Sequence, residues 1–183
     1  SEDASMSGSV ISAALPSVQY STADGTFDTM LNPAVAKADG TGLEFDHVAG
    51  MLKINLEGVD GAVKSISLTA DKNLAGDYTV NMSSEPYTAA PVTSDAKNTG
   101  VQLVAANDGN LAAGPYYIVV LPGNYTNLKL TVNMADGSTA TGSLASLEIA
   151  ARDIKETTIG AEEVPGAGFG FAATEDLTFS YKG

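Results

Sequence analysis

The stretch Tyr116-Tyr-Ile-Val-Val-Leu-Pro-Gly-Asn-Tyr-Thr-Asn-Leu-Lys-Leu-Thr-Val-Asn-Met-Ala-Asp-Gly137 decides the fold. Tyr116 to Leu121 is an unbroken run of aromatic, β-branched and other apolar residues, the pattern of a strand buried on both faces. Pro122-Gly123 ends the run, because proline has no N–H to give to a ladder. Beyond the break, Leu128, Leu130, Val132 and Met134 alternate with Lys129, Thr131 and Asn133, the two-residue period of a strand with one dry and one wet face. The stretch specifies β architecture and carries no group that would do chemistry.

The same grammar recurs on both sides of it. Ser1 to Gly8 are small and polar and are expected to be loosely held. Val10 to Tyr20 reads as a first strand interrupted at Pro16, and Thr22 to Gly42 as a loop with one helical turn near Pro33 to Lys37. Leu43, Phe45 and His47 alternate, Ala49-Gly50 turns, and Leu52, Ile54 and Leu56 alternate again, which predicts adjacent antiparallel strands. Val59-Asp60-Gly61 makes the next turn. Further strands are predicted around Ile66 and Leu68 and at Asp77 to Met82, with Ser83 to Lys97 as an excursion at a sheet edge because it carries Pro86 and Pro91. Val101 to Ala105 is strand-like, Asn107-Asp108-Gly109 is a turn signal ahead of Tyr116, and weaker strands follow at Ser138 to Leu144 and Ile154 to Ile159.

These segments give seven to ten short strands at roughly eight- to twelve-residue spacing, the signature of an all-β antiparallel sandwich or barrel. No segment keeps helical periodicity beyond two turns. Residues 1–160 read as one β-sandwich domain. From Gly160 to Thr174 the composition shifts to Gly, Ala, Glu and Pro, resembling a linker, and Leu177, Phe179 and Tyr181 then alternate as one more strand. That final segment, within 161–183, either folds back onto the sandwich or opens a second domain.

Composition narrows the function. A chain of 183 residues can bury roughly 70% of its unfolded surface, so a core is possible without staples. The absence of Cys excludes disulfides, thiolate metal sites, a Cys nucleophile and iron–sulfur clusters. With 22 acids against 9 bases, a formal charge of -13 and Arg152 as the only Arg, the chain lacks the clustered cations that neutralise nucleic-acid phosphates. No run of about 18 apolar residues is present to span a membrane as a helix. The start has neither the basic end nor the apolar core of a signal peptide, so an exported form is expected to carry its signal ahead of Ser1.

Candidate chemistry is sparse. His47, the sole histidine, would need a Ser and an Asp converging on it to form a triad, and it reads first as a strand-edge residue. Neither a Gly-x-Ser-x-Gly elbow nor a His-Glu-x-x-His pair is present. Asp24-Gly25, Asp39-Gly40, Asp60-Gly61, Asp108-Gly109 and Asp136-Gly137 invite a calcium reading, but none has Asp-x-Asp-x-Asp-Gly spacing and all are better explained as hairpin turns. Tyr20, Tyr78, Tyr87 and Tyr125 are the candidates for a sugar-stacking platform, with partial burial at sheet edges as the simpler account. Asn81-Met-Ser83 and Asn124-Tyr-Thr126 match the N-glycosylation sequon, a short and common pattern. The expectation is a non-enzymatic protein with no catalytic, cofactor-binding or metal-ligating residues and no cofactor.

The ordered motifs Phe45-Asp-His-Val-Ala-Gly-Met-Leu-Lys-Ile-Asn-Leu56, Val63-Lys-Ser-Ile-Ser-Leu68, Leu74-Ala-Gly76 and Tyr116-Tyr-Ile-Val-Val-Leu-Pro-Gly123 resemble the N-terminal domain of fimbrillin-like proteins of Bacteroidetes, over about residues 43 to 160. The resemblance implies a transthyretin-like, Greek-key sandwich and export with lipidation on a Cys upstream of Ser1. It also implies a place at the outer membrane or in a fimbria, with a role in fimbrial assembly or adhesion. Two features depart from that pattern. Family members often carry a second sandwich where only the Leu177 to Lys182 strand follows here, and Arg-specific maturation near the N-terminus has no target before Arg152. Implied partners are other fimbrial subunits or surface proteins joined by strand addition, with Val10 to Tyr20 and Leu177 to Tyr181 as the strands to exchange, and a host or bacterial surface glycan or protein as the adhesion target. The alternative is that both segments complete the chain's own sheets. A glycan-binding module of a surface nutrient-uptake lipoprotein is the second functional reading.

Overall fold

A computed structural model of the chain describes residues 4–21, 27, 28, 31–38, 40, 42–57, 62–92, 98–160 and 178–182. The protein is an all-β sandwich with fifteen strands among those residues. Its larger layer is a six-stranded sheet in the order β15-β13-β12-β7-β10-β3, comprising β3 (Val18–Ser21), β7 (Val63–Thr69), β10 (Gly100–Ala105), β12 (Gly123–Met134), β13 (Thr139–Ile149) and β15 (Thr178–Lys182). A three-stranded sheet faces it in the order β11-β6-β14, from β6 (Gly50–Glu57), β11 (Gly114–Val120) and β14 (Ile154–Gly160). β1 (Ser5–Ser7), β2 (Val10–Leu15), β8 (Gly76–Asn81) and β9 (Ala90–Pro91) form a third sheet, and β4 (Ala34–Ala38) pairs with β5 (Leu43–His47) as a two-stranded ribbon.

Alternation supplies the core. Ile66 and Leu68 of β7, Leu103 of β10, and Leu130 and Val132 of β12 join Leu52, Ile54 and Leu56 of β6, Ile118 of β11 and Ile159 of β14 in one buried cluster. The opposite face of the large sheet is a polar ladder, in which the Gln102 and Asn133 amides each donate to Ser65 Oγ at 3.0 Å. The strand at Tyr116 is buried along nearly its whole length, with Ile118, Val119, Val120 and Leu121 inaccessible and only Tyr117 half-exposed.

The break at Pro122-Gly123 is the crossover from one layer to the other, since β11 lies in the small sheet and β12 in the large one. The crossover is pinned by Tyr125, buried with its hydroxyl donating to Leu121 O and with Asn73 O 3.3 Å away. Leu121 N–H in turn donates to Leu74 O at 2.8 Å. Removing the hydroxyl in Tyr125→Phe strands the Leu121 carbonyl and is expected to lower unfolding free energy by about 1–2 kcal/mol in urea titrations. Burial also pushes the Tyr125 phenol pKa well up. The stabilisation is therefore complete below the ordinary tyrosine pKa of about 10 and is lost as pH rises beyond it, so the gap between wild type and the Phe variant should narrow in strong alkali.

Several expectations are corrected. The residues from Pro33 to Lys37 form no helical turn: Ala34–Ala38 is strand β4, because pairing with β5 and burial of Val35 outweigh the helix propensity of alanine. Leu43–His47 and the strand containing Leu52 are not neighbours, since β6 has both edges filled, by β11 antiparallel and by β14 parallel. The sandwich is not wholly antiparallel, as β3–β10 is a second parallel pair. Ser5–Ser7, within the expected loose end, pairs with β2. β13 runs on to Ile149, beyond the expected end at Leu144. Asn107-Asp108-Gly109 belongs not to a hairpin but to a 3-10 turn, Ala106–Asp108, where the chain changes sheets. The Val59-Asp60-Gly61 turn, most of the 22–30 loop and the 161–177 segment lie outside the described residues.

Candidate functional site

Three-stranded register builds a grid of side chains on the solvent face of the small sheet. On the face turned away from the large sheet, Met51, Lys53 and Asn55 of β6 stand opposite Val119, Tyr117 and Pro115 on one side and Ile154, Glu156 and Thr158 on the other, with Met51 and Val119 covered and the rest of the row reaching solvent. Lys53 Nζ lies 2.8 Å from Glu156 Oε1, and Asn55 Nδ2 donates to the same oxygen at 2.7 Å. Those two hydrogen bonds, Lys53 first, hold the Glu156 carboxyl below its ordinary pKa, and the bond to Glu156 raises the Lys53 ammonium. Being exposed, the pair contributes little to stability. Its effect is to hold donors and acceptors in a fixed array beside the Tyr117 ring, which meets Phe27 edge-on with centroids 6.1 Å apart.

At the Met51 end the grid drops into a cleft of about 350 Å³ between Phe27, Tyr117 and Ile154, with His47 and Arg152 at its rim. The β13–β14 turn forms its far wall. Arg152 sits in the left-handed region at φ 70°, donating its N–H to Ala49 O at 2.8 Å, while its guanidinium donates to Asp46 Oδ1 at 2.7 Å. Met51 N–H donates to Asp153 O at 2.9 Å, so the turn is laced to β6 through backbone. Beside Arg152 a second cleft of about 550 Å³ is lined by Lys37, Glu44, Asp46, Glu85, Tyr87 and Arg152 itself, with the Tyr87 hydroxyl 3.2 Å from Glu85 Oε1.

His47 is exposed at the end of β5, and no serine lines its cleft among the described residues. Of the four tyrosines considered for sugar stacking, Tyr78, Tyr87 and Tyr125 are buried and only Tyr20 is exposed, so they form no platform. Their rings supply core volume instead. Asp136 accepts from the Ser138 N–H and hydroxyl at 2.9 and 2.6 Å and so closes the β12–β13 hairpin. Asp108 lies in the 3-10 turn, while Asp24, Asp39 and Asp60 lie outside the described residues. Among the described residues no group of three His, Asp or Glu side chains is placed to hold a metal ion. Asn124 is exposed, and Asn81 is exposed and accepts from Ser83.

Both segments considered for strand exchange are paired within the chain. Val10–Leu15 lies between β1 and β8, Val18–Ser21 pairs parallel to β10, and Thr178–Lys182 pairs antiparallel to β13. Sequence reasoning missed Arg152 as a joint and the Tyr117–Lys53–Glu156 row. The alternation of Lys53 and Asn55 marked a wet face, but nothing in it told which strands would lie alongside.

The chain matches no family model and no curated protein. Among solved structures its fold is similar to one titled a "putative cell adhesion protein" from Bacteroides ovatus ATCC 8483, at a TM-score of 0.62 and 14% identity. That likeness covers 96% of this chain and 61% of the other. At this identity the shared property is the fold. No helix among the described residues is long and apolar enough to cross a membrane.

Proposed function

We propose that the chain is a cell-surface structural and adhesive module, a fimbrillin-like subunit or accessory protein that acts without enzymatic chemistry. The observation that carries this reading is the fold likeness to the Bacteroides ovatus cell-adhesion candidate, which extends over 96% of the chain. The ordered motifs from Phe45 to Gly123 point the same way. In this reading the protein is exported, tethered by a lipid anchor upstream of Ser1, and stands at the outer membrane or in a fimbria. Subunits join by strand addition, the β13 edge receiving from a neighbour the kind of strand that β15 supplies within one chain.

Because the sequence has no Cys, one engineered pair can report on the partner of that edge. Thr141 and Ser180 are directly opposite in the β13–β15 register. In cells carrying Thr141→Cys with Ser180→Cys, oxidised surface material should run as a covalent ladder on non-reducing gels, each rung one subunit. Surface fractions holding only cross-linked monomer would exclude strand addition at this edge, and protein confined to the cytosol would overturn the surface reading altogether.

A further inference from the structure

We propose that the outer face of the small sheet is a binding site for a neutral saccharide unit, seated on Tyr117 between the Phe27 cleft and the Lys53–Glu156–Asn55 row. The inference stands apart from assembly, since β13 and β15 contribute nothing to this face.

Three observations select the ligand class. First, charge is balanced here although the chain carries -13: two of its nine cations, Lys53 and Arg152, stand at this face. Each is paired, with Glu156 at 2.8 Å and Asp46 at 2.7 Å. A ligand therefore meets an array of fixed donors and acceptors without a net charge to satisfy, which suits hydroxyls, as each can both donate and accept. Second, the array adjoins an aromatic ring that is half-exposed and steadied edge-on by Phe27, a flat apolar surface for the C–H face of a pyranose. Third, the adjoining cleft of about 350 Å³ is at the small end of ligand sites, which span roughly 300–1,000 Å³, and so fits one or two rings rather than a folded partner. Ile154, 59% exposed, extends the apolar wall toward solvent.

The hydroxyl pair of a sugar would bridge Glu156 and Asn55 while the ring lies over Tyr117, and the Glu156 carboxylate together with the chain's charge of -13 disfavours anionic sugars by like-charge repulsion. To test this, the ¹⁵N-labelled chain is titrated with glucose, galactose, mannose, N-acetylglucosamine, lactose and cellobiose, with N-acetylneuraminic acid as the anionic probe. Each probe is taken to about 50 mM, far above the Kd of roughly 1 mM expected of a shallow single-ring site. At least one neutral sugar should shift amide signals of β6, Tyr117 and β14, with affinity falling about tenfold in Glu156→Gln and in Tyr117→Ala. Tyr20→Ala, on the other sheet, should change nothing. Because Tyr117→Ala removes a packed ring and could perturb β11, Glu156→Gln at the exposed edge keeps the test decisive. Absence of any neutral-sugar shift, shifts confined to other faces, unchanged affinity in Glu156→Gln, or a preference for the anionic sugar would each overturn the proposal.

Discussion

Replacing Gln19 by Ala is expected to destabilise the protein by about 3 kcal/mol in urea unfolding, more than any exposed substitution. Gln19 lies on β3, the edge strand of the large sheet, yet it is 1% exposed because its amide reaches across the core to β11. Its Nε2 donates to Val119 O at 2.7 Å, and its Oε1 accepts from Val119 N–H at 2.9 Å. One side-chain amide thus stands in for a neighbouring strand at a buried sheet edge. Without it both backbone groups of Val119, a residue with no accessible surface, lose their partners, and each unsatisfied group costs about 1–3 kcal/mol. Gln19→Glu makes a sharper test. Its carboxylate would face the Val119 carbonyl without a proton to donate, whereas the protonated acid restores one donor and one acceptor. Burial raises the folded-state pKa of such an acid, so relative to wild type this variant should be most stable below about pH 4.3 and lose stability as pH rises. A pH-independent deficit would contradict the bridging role.

Gly50→Val is expected to cost about 3 kcal/mol, at the upper end of what overpacking a core does. Gly50 needs no unusual φ. It is required by close approach, since a Cβ there would collide with the Ile149 side chain and come within 2.6 Å of Ala150 O, which is backbone and cannot swing aside. Relief would push the 149–153 turn off β6, breaking the Met51–Asp153 and Arg152–Ala49 backbone bonds that wall the cleft. Chemical denaturation would read the loss. Amide shifts localised at residues 150–156 in the still-folded fraction would show that the damage enters at this corner, whereas a variant as stable as wild type would refute the close-packing account.

The legible part of the fold follows from short-range physics. Apolar alternation placed Leu130 and Val132 inside and Lys129 outside with no knowledge of neighbours, because side chains on a strand must point to opposite faces. Pro122-Gly123 was readable as an end of pairing for the same local reason, and Asp136-Gly137 as a hairpin turn because glycine there takes φ 87°. Failures came where local signals competed with pairing. Alanines at 34, 36 and 38 favour a helix in isolation, but β5 offered Ala34–Ala38 a ladder of hydrogen bonds. The tyrosines misled in another way. A ring has one apolar body and one polar tip, so the sequence reads the same whether the tip reaches solvent or, as with Tyr125, a backbone carbonyl in the core.

By itself, the sequence determined that this is an acidic all-β protein without thiol chemistry, and it located most strands and the faces they bury, because composition and two-residue periodicity are properties of the chain alone. Only the tertiary structure decided which strands lie side by side: β6 between β11 and β14, β3 parallel to β10, and β15 on β13. Strand pairing is a long-range choice among edges that all present the same N–H and C=O groups. The Tyr117–Lys53–Glu156 row and the Gln19 bridge exist only once that choice is made, because each joins residues more than sixty positions apart along the chain.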